Sequence, residues 1–275
     1  MLGGVDDRAS GGLGPLVLLP PSPMARSQRK HPNNALREPE MTLGFHRLSE
    51  GSVLYRAGGT VILATASVDE QVPEFLKGKG EGWVTAEYQM HPRSNPVRRE
   101  KRDGRERPLG GRSREIERLI GRALRSAVHR KYLGERQIVI DCDVLEADGG
   151  TRTASITAGF VALALAVDSL LRKNLLDVPV LVDQVAAVSV GHVDDELLLD
   201  LCYQEDSRAR VDLNLVATAK GQIVEVQGTA EGRAVDRSDF DKMVDLGLEG
   251  VQTLCQMQRE ALTKHGVRLE RVLRA

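Results

Sequence analysis

Apolar and polar positions repeat along this chain with two different periods, and the points where the period changes mark its elements. Residues 51–56 and 60–68 are β-rich runs joined across Ala57-Gly58-Gly59, a hairpin signal because glycine accepts the backbone angles of a tight turn. Residues 82–90 (GWVTAEYQM) form a third strand candidate. Ile116, Leu119, Ile120, Ala123, Leu124, Ala127 and Val128 then follow the i, i+3, i+4, i+7 spacing of an amphipathic helix, with Ser113 as expected N-cap and Gly134 as expected stop. Residues 137–145 read as a strand, 146–150 as a turn, and about 153–171 as a helix that is apolar almost all round and therefore buried. Four β-rich segments follow, 185–193, 196–203, 210–218 and 223–229, with tight-turn signals at Asp194-Asp195 and Lys220-Gly221. A final helix is expected from 238 to about 264, where Ser238 and Asp241 resemble a capping box. Strands and helices are grouped rather than strictly alternating, which predicts an α+β fold with a mixed sheet. Strands followed by a long helix occur twice, so two halves are expected, about 38–172 and 183–265.

The beginning of the chain does not share this patterning. Residues 1–23 (MLGGVDDRASGGLGPLVLLPPSP) are rich in Gly and Pro, and their apolar run at 16–19 is too short for a signal-peptide core. They read as a disordered leader that need not be translated, with Met24 as the expected true start and the domain running over 24–275. Residues 25–40 are polar and poorly periodic, so ordered structure is expected only from near Thr42.

Composition narrows the function classes. No run of about 18 apolar residues is present, so no membrane span is expected. Three widely spaced cysteines, Cys142, Cys202 and Cys255, fit neither a disulfide framework nor a zinc site and suit a reducing cytoplasm. Aromatic residues are 3% of the chain, too few to suggest a platform on which bases stack. The formal net charge is −1, but it is unevenly spread. Residues 93–112 hold eight bases and three acids, a local charge of +5, so the remainder carries −6. Seven of those eight bases are arginines, the residue suited to bidentate phosphate contacts; an ordinary solvated loop is the competing reading.

Two motifs carry candidate chemistry. In Ala147-Asp148-Gly149-Gly150-Thr151-Arg152-Thr153 a glycine pair runs into a helix N-terminus, where unpaired N–H donors and the positive dipole end can hold an anion. Thr151 adds a hydroxyl and Arg152 a charged fork; simple helix capping is the alternative. In EDSRARVDLNLV, Asp206 is placed at the end of one strand and Asp212 just inside the next, so a turn can bring the carboxylates together. Paired carboxylates can hold Mg²⁺ or divide the roles of acid and metal ligand, although such pairs near turns are commonly just solvated. His46, His91, His129, His192 and His265 show no metal-ligand spacing; His129 reads as a helix-face residue and the others as loop or surface positions. Cys142, flanked by Asp141 and Asp143, is a poor nucleophile candidate because those carboxylates oppose a thiolate. Neither GxxxxGK[ST] nor a GxGxxG after the first strand is present, so a P-loop NTPase and a dinucleotide-binding enzyme are excluded.

The blocks EGSVLY, ILATASV, PEFLKGKGEGWVTAEYQM, GGRSREIERLIGRALR, DCDVLEADGGTRTASIT, DQVAAVSVG, EDSRARVDLNLV and VEVQGTAEG, in this order, resemble the bacterial ribonuclease PH family of phosphate-dependent tRNA 3′-exonucleases. The resemblance runs from about Thr42 to Leu262. It implies two β-α halves in a ring-shaped homohexamer, a trimer of dimers. It implies phosphorolysis of RNA 3′ ends, of tRNA precursors and possible other RNAs such as rRNA, with inorganic phosphate as co-substrate. Phosphate is then expected between Arg112 and Gly150-Thr151-Arg152. Asp206 and Asp212 match the family's acidic pair, associated with Mg²⁺ (or Mn²⁺) and with proton transfer to the leaving oxygen. Arg93, Arg98 and Arg99 fall in the loop that reaches RNA. The alternative is a catalytically inactive RNA-binding ring subunit, but such subunits typically lose the acidic pair or the phosphate arginines, which this chain keeps. The chain departs from the family at LREP, where LRPV is common, and in the basic loop, about one residue longer than usual. Arg208 and Arg210 also stand between the two aspartates, where small or acidic residues are usual.

Overall fold

The computed structural model describes residues 29–95, 97, 99 and 110–274, and everything said of the structure concerns these. The leader expected over 1–23 lies outside them.

In the first half, β1 (Glu40–Leu43), β2 (Gly51–Ala57), β3 (Thr60–Asp69), β4 (Trp83–Met90) and β5 (Gln137–Glu146) form a sheet of order β1-β2-β3-β5-β4. All its pairs are antiparallel except β4 with β5, so the expected mixed sheet is present. Gly58, with φ +54, makes the turn between β2 and β3. Helix α1 (Gly111–Ser126) packs on β4, and α3 (Thr151–Arg172) packs across β2 and β3. In the second half, β6 (Val185–Val193), β7 (Glu196–Leu199), β8 (Val211–Thr218) and β9 (Ile223–Ala230) form an antiparallel sheet of order β7-β6-β8-β9. The two-residue turn Asp194-Asp195 has both φ values positive, +50 and +64, as a tight hairpin between right-twisted strands requires. Helix α5 (Arg237–Lys264) covers this sheet against β6 and β8.

Helix α3 joins the halves. It touches the first sheet on one side and β6 on the other, and Phe160, Leu163 and Val167 are fully buried. Its all-round apolar character is therefore explained by burial on every side. A Cβ at Gly51 on β2 would lie 2.1 Å from the carbonyl oxygen of Ala162, so this approach of strand to helix requires glycine. The same helix corrects the expectation that nothing here has the length and apolarity of a membrane span. Averaging over interspersed Ala, Gly and Thr gives an 18-residue window of mean hydropathy 1.9, enough to cross a bilayer by length and composition, yet 94% of that window is buried inside the protein.

Several boundaries differ from the sequence reading. Helix α1 starts two residues before Ser113, because Gly110 supplies the capping carbonyl to the Arg114 N–H at 3.2 Å. It ends at Ser126; Gly134 instead closes a separate turn, α2 (Arg130–Leu133), at whose N-cap His129 stacks on Tyr132 with ring centroids 4.0 Å apart. Helix α3 starts at Thr151, directly after the left-handed Gly150. Strand β7 stops at Leu199 rather than at 203; residues 200–202 leave the sheet, and Tyr203 opens the short helix α4 (Tyr203–Asp206). Asp236 caps α5 in place of Ser238, its carbonyl accepting from the Asp239 and Phe240 N–H groups. His192 lies within β6, as the strand expected over 185–193 implies, and is half-buried. The edge strand β1 and a last short helix, α6 (Leu269–Val272), have too few residues to show a period.

Candidate active site

The Gly149-Gly150 turn has φ values of +76 and +62, which glycine adopts without penalty. A Cβ at Gly149 would stand 2.5 Å from the carbonyl oxygen of Leu201, so the turn lies directly on the segment leading into α4. The Thr60 hydroxyl ties it to β3, donating to the Gly149 carbonyl at 2.7 Å and accepting from the Asp148 N–H at 3.0 Å. The turn delivers Thr151 and Arg152 into the first turn of α3, where N–H groups lack helical partners.

Thr151 Oγ1 lies 2.9 Å from the hydroxyl of Tyr88 on β4. Tyr88 is buried, which pushes its pKa up and keeps it a neutral phenol. Arg152 donates to Oε1 of Gln227 on β9 at 3.1 Å and lies 3.7 Å from the Glu115 carboxylate on α1. Gln227 is held in turn by Glu225, which takes both arms of Arg122 at 2.6 Å. The Arg152 guanidinium is thus fixed by elements from both halves. Arg112, in the first turn of α1, is exposed, and its charge acts on Tyr88, Asp206 and Asp212.

Asp206 ends α4 rather than a strand. Helix α4 is set by the Cys202 N–H donating to Glu205 and by the Tyr203 N–H donating to Oδ1 of Asp148 at 3.1 Å. Asp212 sits in β8 opposite Gly191 and Thr229. Its carboxylate accepts from Asn214 at 3.4 Å, and Asn214 faces Gln227 across the β8–β9 pair. Burial raises the pKa of Asp206, against the lowering effect of Arg152 and Arg112, although the residue keeps a solvent-exposed face. Asp212 is pushed up to about 6, first by burial and then by the Asp206 charge, with Arg152, Asn214 and Arg112 pulling the other way. A carboxyl with this pKa can hold or release a proton near neutral pH.

Of the residues singled out in the sequence, Arg112, Thr151, Arg152, Asp206 and Asp212 are brought together beside Gly150, from α1, α3, α4 and β8. Arg93 and Arg99 are exposed and, among the described residues, make no ion pair. Arg93 belongs to a turn docked on the end of β5, where the His91 N–H donates to Val144 and the Ala147 N–H donates to Ser94. Arg98 lies outside the described residues. Arg208 is engaged by Asp194 at 3.4 Å. Sequence reasoning missed Tyr88, Gln227 and Arg37. The first two stand inside the resembling blocks with nothing local to mark them; Arg37 stands in the polar stretch before β1.

Among the described residues, no group of three or more His, Cys, Asp and Glu converges. The donor set does not fit a closed zinc cage. Two mutually repelling carboxylates fit a hard divalent cation that takes its remaining oxygens from water and substrate.

The profile for domain 1 of the 3′ exoribonuclease family matches residues 35–167, and that for domain 2 matches residues 183–250. The chain belongs to that family. The two matched stretches contain the first-half and second-half parts of the site respectively, and the fold is the ribonuclease PH fold of two β-α halves. Among solved structures, the chain is similar to rice (Oryza sativa) Rrp46, with a TM-score of 0.68 at 17% identity, covering 85% of this chain and 98% of that one. It is also similar to a chain of the Archaeoglobus fulgidus exosome with RNA bound to the active site, with a TM-score of 0.67 at 20% identity, covering 82% and 90%. A chain of an archaeal exosome core gives 0.65 at 18% identity, covering 83% and 89%. At these identities the likeness concerns the fold.

Proposed function

We propose that this family member is a phosphorolytic 3′-to-5′ exoribonuclease of the bacterial ribonuclease PH type, trimming the 3′ ends of tRNA precursors and other RNAs and releasing nucleoside diphosphates. The observation that carries this reading is the convergence of Arg112 and Arg152 with Asp206 and Asp212 at one helix N-terminus. In phosphorolysis an oxygen of inorganic phosphate attacks the terminal phosphodiester phosphorus. The bond to the 3′-oxygen of the preceding nucleotide breaks, and that oxygen takes a proton. Two phosphates must approach each other, and their repulsion is the main electrostatic obstacle. Arg112, Arg152, the Thr151 hydroxyl and the N–H groups opening α3 suit the incoming phosphate. Asp212, with its raised pKa, suits delivery of the proton to the leaving oxygen. Asp206 and Asp212 would hold Mg²⁺ or Mn²⁺, which when bound supplies positive charge to the phosphate oxygens. The nucleophile comes from solution, so no activated side chain is required. Cys142 suits none: burial first, then its acidic neighbours, push its pKa far up.

Arg93, Arg98 and Arg99 suit RNA backbone contacts of the salt-dependent kind. A cytoplasmic homohexameric ring, a trimer of dimers, completes the proposal. The test is to incubate the purified protein with a 3′-extended tRNA and Mg²⁺, with and without phosphate. Nucleoside diphosphates released only with phosphate are expected. Monophosphates overturn the reading, and RNA binding with no release at all establishes the inactive ring subunit instead.

A further inference from the structure

We infer that Arg37, paired with Asp200, is a positioning residue that sets the phosphate-holding turn of the first half against the acidic helix of the second. The inference deepens the reading above and rests on it.

Arg37 comes from the stretch ahead of β1 that has no apolar period, yet its side chain is 5% exposed and that of Asp200 10%. Its Nη2 donates to Oδ1 of Asp200 at 2.8 Å, and its own backbone N–H donates to Oδ2 at 2.9 Å. Its Nη1 donates to the carbonyl of Asp148, the residue before the glycine pair. Its carbonyl accepts from the Gly58 N–H in the β2–β3 turn at 3.1 Å. One residue therefore ties together three segments distant in sequence, the β2–β3 turn through its backbone carbonyl and, through its side chain, the two that lead directly into the site.

The pair lies beneath the phosphate turn. A Cβ built on Gly150 would come 3.1 Å from Arg37 Nη2 and 3.8 Å from Asp200 Oδ1. On the other side, Asp200 is six residues before Asp206, and the intervening chain is fixed at both ends. The Asp200 N–H donates to the Ser189 carbonyl at 2.7 Å, and the Tyr203 N–H donates to the Asp148 side chain. Asp148 is thus held by Arg37 through its carbonyl and holds α4 through its carboxylate. Asp200 and Glu38 both have left-handed backbones, φ +56 and +49. Non-glycine residues stay in that sparsely populated region where surrounding contacts over-determine them, and such positions cluster at working sites.

An ion pair this buried is a weak device for stability, because desolvating both charges offsets much of their attraction. It is a strong device for geometry, because the planar fork fixes two acceptors at once. Lysine keeps the charge but offers a single ammonium, which cannot hold the Asp200 carboxylate and the Asp148 carbonyl in the same directions.

Arg37→Lys is therefore expected to raise the KM for inorganic phosphate at least tenfold and to lower kcat severalfold. The affinity for RNA without phosphate should change less than twofold. The double variant Arg37→Met/Asp200→Asn removes both charges and guards against a variant that fails to fold, because asparagine tolerates the left-handed backbone at position 200 and its Oδ1 can still accept from the backbone N–H of residue 37. It should fold cooperatively and still show the raised KM. The concentration of inorganic phosphate needed for half of its maximal effect on thermal unfolding supplies a readout that needs no turnover. A rise in that concentration for either variant supports the inference. An unchanged phosphate requirement, with only a lowered unfolding temperature, overturns it and leaves the pair purely structural. Wild-type protein that releases no diphosphates defeats the proposed reaction instead, and the phosphate titration still reports on Arg37 separately.

Discussion

Replacing Asp212 by Asn should stabilise the metal-free protein while removing its activity. In the folded protein the Asp212 carboxyl titrates at about 6, because burial and the neighbouring Asp206 charge disfavour its ionised form. In the unfolded chain it titrates near an ordinary aspartate, about 3.9. The folded state therefore holds an extra proton between those values. Stability associated with this group is fully present below about pH 4 and is lost as pH rises through about 6. Two pKa units correspond to about 3 kcal/mol at most. Asp212 is only partly buried, and solvent screening reduces this to roughly 1–2 kcal/mol. Asparagine keeps the side-chain size and removes the charge. For a protein of this size, each kcal/mol moves the unfolding midpoint by about 2–4 °C. Above pH 7 in EDTA, Asp212→Asn should then melt roughly 2–8 °C higher than wild type. The gap should shrink to nothing as pH falls toward 4. Mg²⁺ should narrow it from the other side, raising the wild-type midpoint while leaving the variant's unchanged. Scanning calorimetry from pH 4 to 8 reads all three. A variant that melts at or below the wild-type temperature at pH 7.5, or a gap that does not change with pH, refutes the reasoning.

Arg152→Ala should raise the KM for phosphate by about 10- to 100-fold, the loss expected when a charged hydrogen-bond donor is removed, in steady-state assays that vary phosphate at fixed RNA. Phe160→Ala, at a fully buried position of α3, should destabilise the fold by about 3–5 kcal/mol, read by urea unfolding.

Long elements with a clear period were legible in the sequence. The burial of α3 follows from its being apolar on every side, and β6 runs over the residues its β-rich pattern marks. Helix α4 was not legible, because four residues cannot display a helical period and the apolar run before them reads as continuing β7. This is why Asp206 was placed on a strand end. The site itself was half legible. Gly150, Thr151 and Arg152 are contiguous, and a glycine pair before a helix has a local physical meaning. Arg37 has none, because periodicity reports apolar faces and a buried charge breaks that pattern. Its partner Asp200 is 163 positions away, and Tyr88 is 63 positions from Thr151. Hydrogen bonds of that separation exist only once the sheets have formed.

The seam between the halves is what gives the site charges of both signs that the protein does not neutralise within itself. Arg112 and Arg152 pull on the pKa values of both aspartates from below, but burial outweighs them and both carboxyls stay raised, Asp212 to about 6. Arg152 is shared with the neutral Gln227 and a more distant Glu115, and Arg112 is exposed. A site tuned only for stability would pair these groups fully. Here the first half keeps an excess of positive charge at the N-terminus of α3, and the second half keeps an excess of negative charge on α4 and β8. Each excess suits a ligand of opposite sign: an anion against the arginines, and a cation or a proton against the carboxylates. A phosphoryl group in transit between two oxygens needs both kinds of neighbour. The Arg37–Asp200 pair, satisfied internally and buried beneath the turn, supplies the rigidity that lets the exposed charges remain uncompensated.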